Sequence, residues 1–158
     1  MLPKGDISFC HADSSHAELI RDIVRAAYSK WVPVIGREPL PMTVNYADAV
    51  SRNDFELACF DGAVVGVMET CLRDDHLWIE NVAVLPDRQG KGIGRALLAH
   101  AERKAGHAGV PEVRLLTNEA FAANVALYAR TGYAVDRRES FMGGTTVYMS
   151  KKVDGSAG

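Results

Sequence analysis

Apolar residues in the middle of this chain come in short runs separated by paired turn residues. That spacing predicts strands. Residues 56–60 and 64–71 flank Asp61-Gly62, a strong two-residue hairpin signal, and Asp74-Asp75 marks a second turn before the run at 77–85. Three antiparallel strands are expected there. Ahead of them, residues 7–10 read as a first strand. Ser15 and Glu18 have capping-box spacing before a helix that carries Leu19, Ile20, Ile23, Val24 and Ala27 on one face. That helix runs out near Trp31, and Pro33, Gly36, Pro39 and Pro41 oppose regular structure until a short helix at about 45–52. Beyond residue 85 the period becomes helical. A helix over 92–106 turns Ile93, Ala96, Leu97 and Ala101 inward. A strand at 113–118, a helix around Asn124 and a last strand pair near 133–137 and 145–150 follow. The predicted order is βααβββαβαββ, an α/β chain with a mixed sheet and helices on both faces.

Composition bounds the size and setting. The 158 residues, 47% of them apolar, suffice for one core, so residues 1–153 are expected to form one domain and 154–158 a small polar tail. A net charge of −2 gives no global attraction to nucleic acid, which is not an expected partner. Basic residues do cluster locally, at Arg88, Lys91 and Arg95. Cys10, Cys59 and Cys71 are odd in number and widely spaced, a pattern that fits reduced, mostly buried thiols. No apolar run approaches membrane-spanning length, and no metal-ligating set is apparent. A cytoplasmic protein with no membrane partner is expected.

The chemistry concentrates at residues 82–98, VAVLPDRQGKGIGRALL, where a strand runs through a glycine-rich turn into a helix. Gly90, Gly92 and Gly94 leave backbone N–H groups uncovered, and the helix adds its unpaired first-turn donors and the positive end of its dipole. A phosphate or diphosphate suits such a place. A P-loop requires G-x-x-x-x-G-K-[ST], but Lys91 precedes Gly92 and no Ser or Thr follows. A dinucleotide fingerprint requires G-x-G-x-x-G, and the sixth position is Arg95 counted from Gly90 or Leu97 counted from Gly92. What remains, Gln89-Gly90-Lys91-Gly92-Ile93-Gly94, reads Q-x-x-G-x-G and resembles the acyl-coenzyme A pyrophosphate loop of the GCN5-related N-acetyltransferases. Further on, EAFAANVALYARTGYAV supplies Asn124, Tyr128, Gly132 and Tyr133 in loose agreement with a second pattern of that family.

The resemblance implies the acetyltransferase fold, acetyl-CoA as cofactor, and direct transfer of an acetyl group to an amine, with both substrates bound together. The turn from Gln89 through Gly90, Lys91, Gly92, Ile93 and Gly94 would take the diphosphate, Arg88 and Arg95 would reach the adenosine 3′-phosphate or merely face water, and the backbone of Val82, Ala83 and Val84 would run beside the pantetheine arm and polarise the acetyl carbonyl. Asn124 would contact the same arm or cap its own helix. Tyr128 is the candidate acid for the departing thiolate, with a half-buried core tyrosine as the bland alternative. Glu80 is the candidate base for the ammonium, with Glu69, Asp75 and His76 in reserve; equally it reads as an exposed strand residue paired with a neighbour. Tyr28, Trp31 and Tyr46 lie in or near the loop that walls the acceptor site in the family, which favours a small-molecule amine. An acceptor on a protein and a non-catalytic coenzyme A sensor remain alternatives, and a homodimer through an edge strand or late hairpin is expected.

Overall fold

The structure, a computed structural model, describes residues 7–153; the expected tail at 154–158 lies outside the described residues. Strands β1 (Ser8–His11), β2 (Asp54–Phe60), β3 (Ala63–Leu72), β4 (Leu77–Val84), β5 (Glu112–Asn118), β6 (Ala134–Phe141) and β7 (Gly144–Lys152) form a seven-stranded sheet in the order β1-β2-β3-β4-β5-β7-β6. The β4–β5 ladder is parallel, whereas β1–β2, β2–β3, β5–β7 and β6–β7 are antiparallel, so the sheet is mixed as expected. The helices are α1 (Ala17–Tyr28), α2 (Val32–Ile35), α3 (Tyr46–Ala49), α4 (Ile93–Ala108) and α5 (Ala122–Arg130).

Local chemistry explains most of these elements. Asp61 and Gly62 adopt φ of 56° and 79°, the left-handed pair that a twisted two-residue hairpin requires between β2 and β3. Arg73 N donates to His76 O at 2.9 Å and closes the turn into β4. Two expectations need correction. The helix entry is capped by Asp13, whose side chain accepts from Ser15 N before a 3-10 turn at Ser14–His16, and His16 completes the box in place of Glu18. The loop at 31–44 is also less irregular than its prolines suggest. Pro33 sits in the first turn of α2, where its missing N–H has no helical acceptor to lose, and Gly36 ends the turn at φ 76°.

The described residues group into two compact units, 7–70 with Asn81–Leu97, and Cys71–Glu80 with 98–153. In the first, α1 buries Ile20, Ile23, Val24, Ala27 and Tyr28, which fall on one stripe at helical spacing. Leu19, expected on that stripe, lies at its margin and is exposed. Phe55, Leu57, Val65, Val67 and Met68 are essentially inaccessible and form the sheet side of this core. The second unit is centred on Leu77, Leu98, Leu115 and Met149. Each such side chain contributes about 1.5–3 kcal/mol by leaving water.

Candidate functional site

The glycine turn follows β4 through Leu85 and a 3-10 turn at Pro86–Arg88. Gly90 and Gly92 hold φ of 78° and 87°, and neither has an atom within 4 Å of where a Cβ would stand. They are glycines for their backbone angle, with open space above them. Ala96 N donates to Gly92 O at 3.0 Å, the first α-helical bond of α4, so the amides of Ile93, Gly94 and Arg95 have no carbonyl within the helix. The helix start therefore presents donors with a positive dipole end behind them.

Gln89 is held by two hydrogen bonds within the protein. Its Nε2 donates to Val84 O at 2.9 Å, and Lys30 Nζ donates to its Oε1 at 2.7 Å. The side chain thus clamps the turn to the end of β4. Lys91 and Arg95 are exposed, while Arg88 is half-buried with its guanidinium 5.8 Å from the Phe60 ring centroid.

Strand β4 prepares the turn. Its parallel ladder with β5 pairs only Leu77, Trp78 and Ile79 with Val113, Arg114 and Leu115. Past Ile79 the strand continues to Val84 outside that ladder, so the backbone of Val82, Ala83 and Val84 is not engaged in it. On its other neighbour β4 is held closely. Leu85 N donates to Val65 O at 2.9 Å, and a Cβ on Gly66 would stand 3.0 Å from Ala83 O and 3.3 Å from Leu97 Cδ1. Gly66 was not singled out from the sequence, since a glycine inside a strand signals close approach only when the approaching backbone is known.

Asn81 was missed as well, although a signal existed. It occupies the core parity of β4 with Leu77, Ile79 and Ala83, where a polar residue needs partners. Tyr28 Oη donates to Asn81 Oδ1 at 2.8 Å, Asn81 Nδ2 donates to Tyr46 Oη at 3.3 Å, and Tyr46 Oη donates to Pro41 O at 2.7 Å. Two of the three acceptor-site candidates, Tyr28 and Tyr46, thus meet in a buried network at Asn81 and tie α1, α3 and the proline loop to β4. Trp31 is half-buried, with the Lys30 ammonium 4.9 Å from its ring centroid.

In the second unit, Glu80 is exposed and accepts from Trp78 Nε1 at 2.7 Å. The reserve candidates are engaged elsewhere. Glu69 is buried and accepts from Asn53 Nδ2 at 2.8 Å. Asp75 pairs with His76 at 2.7 Å, and that bond, with help from Arg114, holds its carboxyl below the usual range. Asn124 is half-buried in the first turn of α5 and does not cap it, because Phe121 occupies the cap position. Tyr128 is buried one turn later, and desolvation pushes its phenol up to about 12. Its carbonyl anchors the end of the helix. Tyr133 N donates to Tyr128 O at 3.0 Å and Gly132 N to Ala129 O at 3.2 Å, with Gly132 at φ 104°, a Schellman ending. Lys151 Nζ supports that end, donating to Thr131 O at 2.8 Å and to Glu102 Oε1 at 3.0 Å. The Tyr128-x-x-x-Gly132-Tyr133 spacing is therefore in part the signature of a helix stop. Tyr133 lies edge-on to Tyr128 at 6.1 Å, and its buried hydroxyl has no hydrogen-bond partner among the described residues.

A mixed sheet, a central strand that leaves its parallel neighbour, and a glycine turn opening into a helix define an acyltransferase-like architecture. The model of the acetyltransferase (GNAT) family matches residues 18–133, and the chain belongs to that family. Among solved structures, the PaiA N-acetyltransferase of Thermoplasma acidophilum in complex with coenzyme A is similar at a TM-score of 0.78 and 20% identity, covering 93% of this chain and 99% of that one. The ribosomal-protein-S18-alanine N-acetyltransferase of Escherichia coli aligns at 0.76 and 21% identity, over 97% of each chain. A GNAT family acetyltransferase of Elizabethkingia anophelis with acetyl-CoA bound aligns at 0.68 and 15% identity, over 93% of this chain and 98% of that one. No curated protein matches the sequence.

Proposed function

We propose that this chain is an acetyl-CoA-dependent N-acetyltransferase that moves an acetyl group directly onto the amine of a small-molecule acceptor. The observation that carries the reading is the exit of β4 from its β5 ladder, followed after the strand's end by a turn with positive φ at Gly90 and Gly92 and a helix start whose first amides have no acceptor within the helix. That donor set fits the cofactor. A diphosphate asks for N–H groups and a positive helix end, which Gly90 to Arg95 supply, and an amide-bearing arm asks for a strand edge free of a neighbour, which Val82 to Val84 supply on the β5 side. Acetyl-CoA, when bound, brings the activated thioester.

The residues then divide the work. The backbone amides at Val82 to Val84 polarise the acetyl carbonyl. Glu80 accepts the ammonium proton of the acceptor, directly or through water, so that the amine lone pair is free. Tyr128 donates its phenolic proton, which a phenol holds at neutral pH, to the departing sulfur. Asn124, on the same face of α5 as Tyr128, orients the pantetheine arm. Tyr28, Trp31 and Tyr46 shape the acceptor side, with Asn81 fixing the two tyrosines.

The test is thiol release from acetyl-CoA across a panel of small amines and peptide N-termini. Turnover on small amines, with Tyr128→Phe losing turnover while still binding acetyl-CoA, is the expected result. Binding without turnover on any amine would make the chain a coenzyme A sensor, and turnover confined to peptides would move the acceptor to a protein. Direct transfer also requires both substrates bound at once. Ping-pong kinetics would overturn it, and Cys71→Ala is expected to leave turnover unchanged. The same reading includes a homodimer formed through β6, an eight-residue edge strand exposed along its whole length.

A further inference from the structure

Pairing of β1 with β2 brings Cys10 Sγ to 3.6 Å from Cys59 Sγ. The register sets Cys10 opposite Leu57 and Cys59 opposite Ser8, so the two cysteines are diagonal neighbours whose side chains leave the same face of the strands. This juxtaposition overturns the expectation of mostly buried thiols. Cys10 is exposed on an edge strand and Cys59 is half-buried. Neither has a part in the proposed acetyl transfer. We propose that Cys10 and Cys59 form an oxidation site, a dithiol that peroxide converts into an intramolecular disulfide stapling β1 to β2.

The chemistry balances with hydrogen peroxide as oxidant. Cys10, as thiolate, attacks one peroxide oxygen; the O–O bond breaks, hydroxide leaves and a sulfenic acid forms at Cys10. Cys59 releases its proton to solvent and its sulfur attacks the Cys10 sulfur. The S–O bond breaks, the S–S bond forms, and the departing hydroxide takes a proton to become water. Two thiols are oxidised by two electrons, and one peroxide is reduced to two waters. Exposure makes Cys10 the sulfur that meets the oxidant. Burial, with the contact to Cys10, pushes the Cys59 thiol up, which suits the partner that reacts second. The bond would close a stretch of chain containing α1, Trp31 and Tyr46, and so restrain the unfolded state.

The experiment treats the full chain with a small excess of hydrogen peroxide, then counts free thiols after denaturation and maps peptides without reductant. Two of the three thiols are expected to disappear, with the Cys10 and Cys59 peptides linked and the link reversed by dithiothreitol. The linked protein is expected to melt higher by about 5 °C or more. Cys71→Ser keeps the link, whereas Cys10→Ser and Cys59→Ser abolish it. Three surviving thiols, over-oxidation of Cys10 beside an intact Cys59, or a crosslink between chains through Cys71 would each overturn the proposal. A linked protein that melts no higher would overturn the staple.

Discussion

Tyr128 and Tyr133 show how two residues of one type in one short motif differ by surroundings. Both phenols are pushed up by burial, and for Tyr133 the nearby Glu102 carboxylate adds to the effect. The consequence for stability has a definite sign. Below pH 10 the phenols are protonated in the folded and unfolded chains alike and contribute no pH dependence. As pH rises from 10.0 towards about 12, an unfolded Tyr128 loses a proton that the folded protein keeps, and stability falls. Denaturant unfolding followed against pH is expected to be insensitive to these phenols below pH 10 and to weaken above it. The weakening should be shallower in Tyr128→Phe. Tyr133 offers a second measurement. Its hydroxyl is buried without a partner, a burden of about 1–3 kcal/mol, so Tyr133→Phe is expected to leave stability unchanged or raise it by about 1 kcal/mol. A loss of more than that would reveal a partner for the hydroxyl.

Among the elements, the strand-turn-helix at residues 81–97 was the most legible in the sequence and the least completely explained by it. The glycine spacing located the turn, because positive φ is a local demand that glycine meets at the lowest cost. Gly92→Ala places a side chain in open space at φ 87°, so its conformational cost is about 1 kcal/mol. If the turn holds the diphosphate, its effect on the Michaelis constant for acetyl-CoA is larger, roughly tenfold. Gly66→Ala should behave in the opposite manner. Its Cβ would press on the Ala83 carbonyl at 3.0 Å, which as strand backbone cannot rotate away. A loss of about 1–2 kcal/mol, seen as a melting point lower by about 3–6 °C, is expected. The roles of Gly66, Lys30 and Asn81 were not read from the sequence because each depends on a partner 17 to 59 residues away. Local pattern carries no register over such separations. Asn81 nevertheless left a trace, as a polar residue at a buried parity.

For the whole molecule, charge and edges set what the chain can meet. The net charge is −2, and among the described residues no helix is long and apolar enough to cross a membrane. The long edge strand β6 carries Val135 and Phe141 outward, and Arg137 and Arg138 are paired with Glu139 and Glu119. If two copies join there, Val135→Lys, which adds an edge charge, shifts sedimentation towards monomer without changing turnover per chain. The sequence by itself determined the order of strands and helices apart from the short α2, the hairpin at Asp61-Gly62, the mixed sheet and the place of the glycine turn. These follow from hydrophobic period and from φ preferences that act within a few residues. Only the tertiary structure decided that Gln89 clamps a turn, that Tyr28 and Tyr46 meet at Asn81, and that Cys10 lies against Cys59. Those contacts arise from strand register and packing between distant segments, which exist only once the chain has closed its core.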